Sequence, residues 1–223
     1  MSSRRGNRDR ELVAFVGRHG VVAIEHVMAE LEVGQAAAYR RVAACIERGL
    51  LERLDLLRRE PSLLRATRAG LRYAGLGLPL AVVSPGAVDH WLRCASTAQQ
   101  LAREFGPERI LTERELRLIE RLEGRPIASA KLGELPSGHP RLHRPDLVVF
   151  AEHGVVPVEV ELTPKSPRRL EGIIRGWRRA VGARAVAEVH YHCAPGQTRR
   201  AVERAVAKVY AEKFVAIGEV VAR

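Results

Sequence analysis

Apolar residues recur at helical spacing through the first fifty positions. Segment 8–18 places Leu12, Phe15 and Val16 on one face and ends at His19-Gly20. Segment 22–31 gathers Ile24, Val27, Met28 and Leu31, and a third run from Gln35 to about Arg48 turns Ala38, Val42, Cys45 and Ile46 inward. Glu32-Val33-Gly34 separates the second from the third, and Gly49 stops the third because glycine accepts the positive φ of a helix end. The pattern then becomes extended over 50–57 and 63–66, with a polar turn at 58–62 between them, before Thr67 caps a helix over 68–76.

Gly75-Leu76-Gly77-Leu78-Pro79 is the best linker, so the chain divides into 1–78 and 79–223. Ser84-Pro85 opens a helix that reaches about Phe105, and Thr112-Glu113-Arg114-Glu115 has the spacing of a capping box for a helix to Leu122. Residues 124–144, rich in Gly, Pro, His and Arg, read as loop. From Arg144 onward short apolar strands alternate with helices: strands at 147–150, 155–162, 187–193 and 214–220, helices at about 167–181 and 197–211. In the second strand Val156, Val158, Val160 and Leu162 face one way and Glu159 and Glu161 the other. The expected fold is an N-terminal α+β unit followed by an α/β unit built on a mixed sheet.

Composition narrows the function. With 46% hydrophobic residues in 223, a core is assured and global disorder excluded. No run of about 18 apolar residues exists to cross a membrane, and the charged start reads as no secretory signal. Cys45, Cys94 and Cys193 are odd in number and far apart, which argues against a disulfide framework or a cysteine zinc site and favours the cytoplasm. The net charge of +11 is concentrated at the two ends. Residues 1–78 carry 14 basic and 9 acidic groups, 79–140 carry 8 of each, and 141–223 carry 15 and 9. A polyanion is the natural partner, although 33 arginines against 4 lysines also fits GC-rich coding. Only 4% of residues are aromatic, which disfavours recognition of single strands by base stacking.

The order helix, helix, turn, helix, hairpin, helix, with Ile46-Glu47-Arg48-Gly49-Leu50-Leu51 and Arg65-Ala66-Thr67-Arg68-Ala69-Gly70-Leu71, resembles a winged helix-turn-helix domain. The resemblance implies that the third helix enters the major groove of double-stranded DNA and the wing touches backbone. Gln35, Tyr39, Arg40 and Arg41 project from that helix, and Arg58 and Arg59 sit at the hairpin tip. A winged helix can also serve only for docking or dimerisation, and a homodimer fits either use.

The chemistry of the second half lies in Arg144-Pro145-Asp146 and Glu159-Val160-Glu161. One carboxylate at the head of a strand and two at i and i+2 on its neighbour can converge, and converging anions require a counter-charge. Mg²⁺, which favours hard oxygen ligands, is one such charge; nearby Arg144, Arg168 and Arg169 are the alternative. Pro145-Asp146 followed by Glu159-Val160-Glu161 before a helix resembles the PD-(D/E)xK restriction-endonuclease-like fold. That resemblance implies Asp146 and Glu159 as metal-binding acids and places Glu161 where lysine is usual, with Lys165 as a substitute. Glu115 is its nearest upstream acid, ahead of Glu113 and His90, and Glu115 has a competing role in the capping box. His190 and His192 alternate along a strand with no third metal ligand in view. The whole layout, with Ser166-Pro167-Arg168-Arg169-Leu170 and Trp177 on the next helix, resembles the replication-relaxation family of plasmid and mobile-element proteins. It implies replication or maintenance of mobile DNA alongside other proteins of that machinery, either as a Mg²⁺-dependent nuclease or as a non-enzymatic DNA-binding regulator.

Overall fold

The computed structural model describes residues 2–55 and 62–221, with side chains from Asn7 onward. The hairpin tip, including Arg58 and Arg59, lies outside the described residues. The chain forms two compact units that divide after Gln99.

In the first unit, α1 (Ser2–His19), α2 (Ile24–Leu31) and α3 (Gln35–Glu47) precede the antiparallel hairpin of β1 (Leu51–Leu54) and β2 (Leu63–Ala66), and α4 (Arg68–Ala74) follows. Leu12, Val16, Val27, Val42, Cys45, Leu51, Leu64 and Leu71 are buried. The second helix starts two residues later than the apolar spacing predicts. Val22 is instead extended and exchanges backbone hydrogen bonds with Leu64 (3.1 and 2.8 Å), adding a third short rung to the hairpin. Thr67 caps α4 as expected, its hydroxyl accepting from the Gly70 N–H at 3.0 Å. Gly70 is required for space, since a Cβ there would lie 2.0 Å from the Leu50 carbonyl oxygen.

The unit extends past the expected boundary at residue 78. A short 3₁₀ turn at Pro85–Ala87 leads into α5 (Val88–Phe105), where Ser84 makes no side-chain cap. Val88 and Leu92 pack with Val21, Ala23 and Leu63. Buried His26 accepts from the Ala23 N–H at Nδ1 (3.2 Å), which leaves Nε2 to donate to the Leu92 carbonyl at 3.0 Å. These contacts tie the first half of α5 to the helices before it, so the flexible-looking Gly-Leu-Gly-Leu-Pro stretch is not where compactness ends.

The second unit contains β3 (Ile110–Thr112), α6 (Glu113–Glu123), β4 (Ala130–Glu134), β5 (Pro140–His143), β6 (Leu147–Ala151), β7 (Gly154–Glu161), α7 (Pro167–Gly182), β8 (Val189–Cys193), α8 (Gln197–Lys208) and β9 (Val215–Glu219). Among the described residues the chain has eight α-helices and a mixed five-stranded sheet of order β3-β6-β7-β8-β9. The first three strands pair antiparallel and the last three parallel. Each parallel pair is joined by a helix, as a parallel crossover requires.

Two expectations change. The three residues of β3 form an edge strand too short to show a period. Segment 124–144 is not all loop, because β4 and β5 pair as a second, separate hairpin with an irregularity at Lys131/Gly133. Its alternation is hidden by that irregularity and by two exposed faces, but its base is anchored: Ala130 is buried, and a Cβ on Gly176 of α7 would lie 2.8 Å from Leu132. The sheet register pairs Glu159 with Tyr191 and Glu161 with Cys193. All four side chains therefore share one face, where Leu170, Ile173, Ile174 and Trp177 of α7 form the core with Tyr191 and Cys193. Every residue from Val156 to Glu161 is buried, so both faces of β7 are covered and its acidic face is not a solvated one.

Candidate functional site

On α3 the apolar stripe Ala38, Val42 and Cys45 turns inward, leaving Gln35, Ala36, Tyr39, Arg40 and Ala43 exposed. Small alanines between longer polar side chains let this face approach a surface closely. Arg41 is held differently. Its guanidinium pairs with Asp9 of α1 at 2.8 Å, and Arg48 takes the other Asp9 oxygen at 2.9 Å. Arg48 also lies 5.1 Å over the Tyr73 ring. Arg41 thus ties α3 to α1, while Gln35, Tyr39 and Arg40 face outward. Buried Cys45 has its thiol pushed up to about 11 by desolvation, then by the charge of Asp9, and is unreactive.

In the second unit the segment entering β6 and the end of β7 bring the acidic residues to one end of the sheet. Asp146 Oδ2 accepts from the Val160 N–H at 2.7 Å, which locks it against β7 between Glu159 and Glu161. Glu159 Oε1 accepts from His143 Nε2 at 2.6 Å and from the Trp177 indole N–H at 3.1 Å. Glu161 forms an ion pair with Lys165, four residues on. Burial disfavours charge on Lys165 and lowers its pKa, against the pull of Glu159 and Asp146, which both lie within its electrostatic reach. Burial likewise opposes charge on His143, but the charge and hydrogen bond of Glu159 outweigh it and raise the His143 pKa. The Tyr191 hydroxyl, fully buried beneath this cluster, makes no hydrogen bond of normal geometry among the described residues, its polar neighbour being the Trp177 indole that already donates to Glu159. Its pKa is driven well up by burial and then by the Glu159 charge.

The donor set of Asp146, Glu159 and Glu161 has the hard-oxygen chemistry of a Mg²⁺ site. Both hydrogen bonds to Glu159 use Oε1, leaving Oε2 as the oxygen a cation could take. In the structure the anions are balanced by Lys165 and His143, and the three ligand oxygens are not all within 4.8 Å of one another. Glu115 completes the expected capping box of α6, its carboxylate accepting from the Thr112 N–H at 3.0 Å. The first N–H of that helix, from Glu113, donates to the Asp146 carbonyl at 2.9 Å, and the Glu113 carboxylate pairs with Arg117. His90 faces Cys94 one turn along α5. Arg144 does not neutralise the cluster: it donates to buried Glu120 at 3.1 Å, which also accepts from Ile127 N–H at 3.0 Å. Arg168 and Arg169 stand exposed at the start of α7.

In comparison with known proteins, no family model matches this chain, and no curated protein or solved structure matches it. Among the described residues, no helix is long and apolar enough to cross a membrane.

His143, Trp177 and Tyr191 are the site residues that sequence reasoning missed. His143 sits in a segment whose strand pattern is hidden. Trp177 reads as core at helical spacing, and its one polar atom was the signal: a buried indole N–H needs an acceptor. Tyr191 is legible only from the register that sets it opposite Glu159.

Proposed function

We propose that this chain is a cytoplasmic, duplex-DNA-binding protein of mobile-element or plasmid replication and maintenance. In this reading residues of the first unit form a winged helix whose α3 presents Gln35, Tyr39 and Arg40 to the major groove. The second unit is a PD-(D/E)xK-like nuclease domain. The observation that carries the reading is the gathering of Asp146, Glu159 and Glu161 around Lys165 at one end of β6 and β7.

Asp146, Glu159 and Glu161 would hold Mg²⁺, which when bound polarises a phosphate oxygen and lowers the pKa of its water. The chain supplies the rest. The Val160 N–H orients Asp146 and the Trp177 N–H orients Glu159. Lys165 places a positive charge beside the acids, suited to a phosphate oxygen. The exposed Arg168 and Arg169 are positioned for backbone contacts. Incubation of supercoiled plasmid with the protein and MgCl₂ tests this. Wild type nicks, whereas Asp146→Ala does not nick yet binds duplex with nearly unchanged affinity. Equal cleavage by both proteins removes the assignment.

A specific observation favours a second reading, a non-enzymatic DNA-binding accessory. His143 and Lys165 already balance Glu159 and Glu161, so the cluster is satisfied without an ion. Its signature in the same assay is salt-sensitive duplex binding with no metal-dependent product.

A further inference from the structure

At the opposite end of β7 from Glu161, the turn between β6 and β7 meets the residues leading into β8. The Ala187 N–H donates to the Val155 carbonyl at 2.8 Å, and a Cβ on Gly154 would lie 3.1 Å from the Ala187 side chain. This backbone contact brings His153, from the turn, beside Glu188 and His190. His190 Nε2 lies 2.9 Å and His153 Nε2 3.3 Å from the same oxygen, Glu188 Oε1. Two imidazoles thus converge on one carboxylate. Burial works to raise the Glu188 carboxyl, but the hydrogen bonds and charges of His190 and His153 outweigh it and hold the group below the usual carboxylate range.

We propose that His153, Glu188 and His190 form a zinc site. Two imidazole nitrogens and one carboxylate oxygen are a donor set of three-ligand zinc centres, with the fourth position left to water. Magnesium, which wants oxygen ligands in an octahedron, is a poor match for two nitrogens. Tetrahedral ligands at about 2.0–2.1 Å from zinc stand roughly 3.3 Å apart. The Glu188 to His153 distance meets that value and the Glu188 to His190 distance falls short of it, while the two imidazoles stand more than 4.8 Å apart; that third edge closes only by rotation of His153, the most exposed of the three at 57%. That exposure also gives the ion its entry path. The bound ion would clamp the β6–β7 turn to the start of β8, independently of any role in DNA binding. The site takes only His190 from the His190/His192 alternation seen in the sequence, with His153 and Glu188 as its second and third protein ligands in place of His192.

Calorimetric titration of the untagged full chain with ZnCl₂ tests the site, in a Cys94→Ser background so that the thiol beside His90 contributes nothing. One zinc should bind per chain and raise the melting temperature, while MgCl₂ at the same concentration does neither. Glu188→Gln and His190→Ala should each weaken zinc binding by at least about tenfold. His153→Ala, at an exposed turn, should keep the far-ultraviolet circular dichroism of the parent and lose affinity equally. No zinc binding by the parent, or affinity unchanged in His153→Ala and His190→Ala, overturns the proposal.

Discussion

Glu159→Gln separates the charge of the buried cluster from its shape. Glutamine keeps an oxygen for the Trp177 N–H and nearly the same volume, but it cannot compensate a protonated His143. The His143–Glu159 hydrogen bond is short at 2.6 Å, and the side chains are only 17% and 3% exposed, so solvent screens the pair little. Losing a charge-assisted bond to a buried partner costs about 2–4 kcal/mol while His143 remains charged. His143 can escape part of that by releasing its proton, so the cost depends on pH. Its folded pKa is raised, so the pair's stabilisation is fully present below the unfolded histidine value of about 6.5 and is lost as pH rises through the folded pKa. Urea unfolding in the presence of EDTA should show wild type ahead of Glu159→Gln by about 2–4 kcal/mol near pH 5.5, falling to about 1 kcal/mol or less near pH 9. A gap that stays constant or widens with pH would refute the coupling of these two groups.

Three further outcomes follow from individual contacts. Tyr191→Phe removes a buried hydroxyl that makes no hydrogen bond of normal geometry among the described residues, so thermal unfolding should leave stability unchanged or raised by up to about 1 kcal/mol. Gly70→Ala drives a methyl into the Leu50 carbonyl, and urea denaturation should show a loss of about 2 kcal/mol or more. Arg40→Ala should weaken duplex binding while Arg41→Ala chiefly lowers melting temperature, because Arg41 is engaged by Asp9. If Arg40 touches a phosphate, the slope of log affinity against log salt should fall by about 1 in a fluorescence-anisotropy titration.

The helices of both units were legible because each buries one stripe, and period 3.6 survives in Leu12–Phe15–Val16, Ala38–Val42–Cys45 and Leu170–Ile173–Ile174–Trp177. Strands β6, β7, β8 and β9 were legible as apolar runs broken by turns. The capping box at Thr112 was legible in full because its two hydrogen bonds are local. What escaped depends on partners distant in sequence. Val22 becomes extended because Leu64 offers it a ladder position, and β3 exists because β6 does. The hairpin β4–β5 carries an irregularity that breaks the period-2 signal. For the acidic cluster the chain revealed which carboxylates share a strand face. It offered Lys165 only as a stand-in for the usual lysine and gave no sign of its ion pair with Glu161, nor that His143, from β5, would balance Glu159. Glu115 shows the converse: its capping role was legible because both of its capping-box hydrogen bonds lie within three residues.

The hairpin β4–β5 also has a practical side. Its base is pinned by Gly176 against Leu132 and by Arg179 donating to the Lys131 carbonyl at 2.7 Å, whereas Pro136, Ser137 and Gly138 at its tip are exposed. A peptide tag or fluorophore spliced between Ser137 and Gly138 would therefore hang from an anchored stem, giving a labelling point that leaves the five-stranded sheet undisturbed.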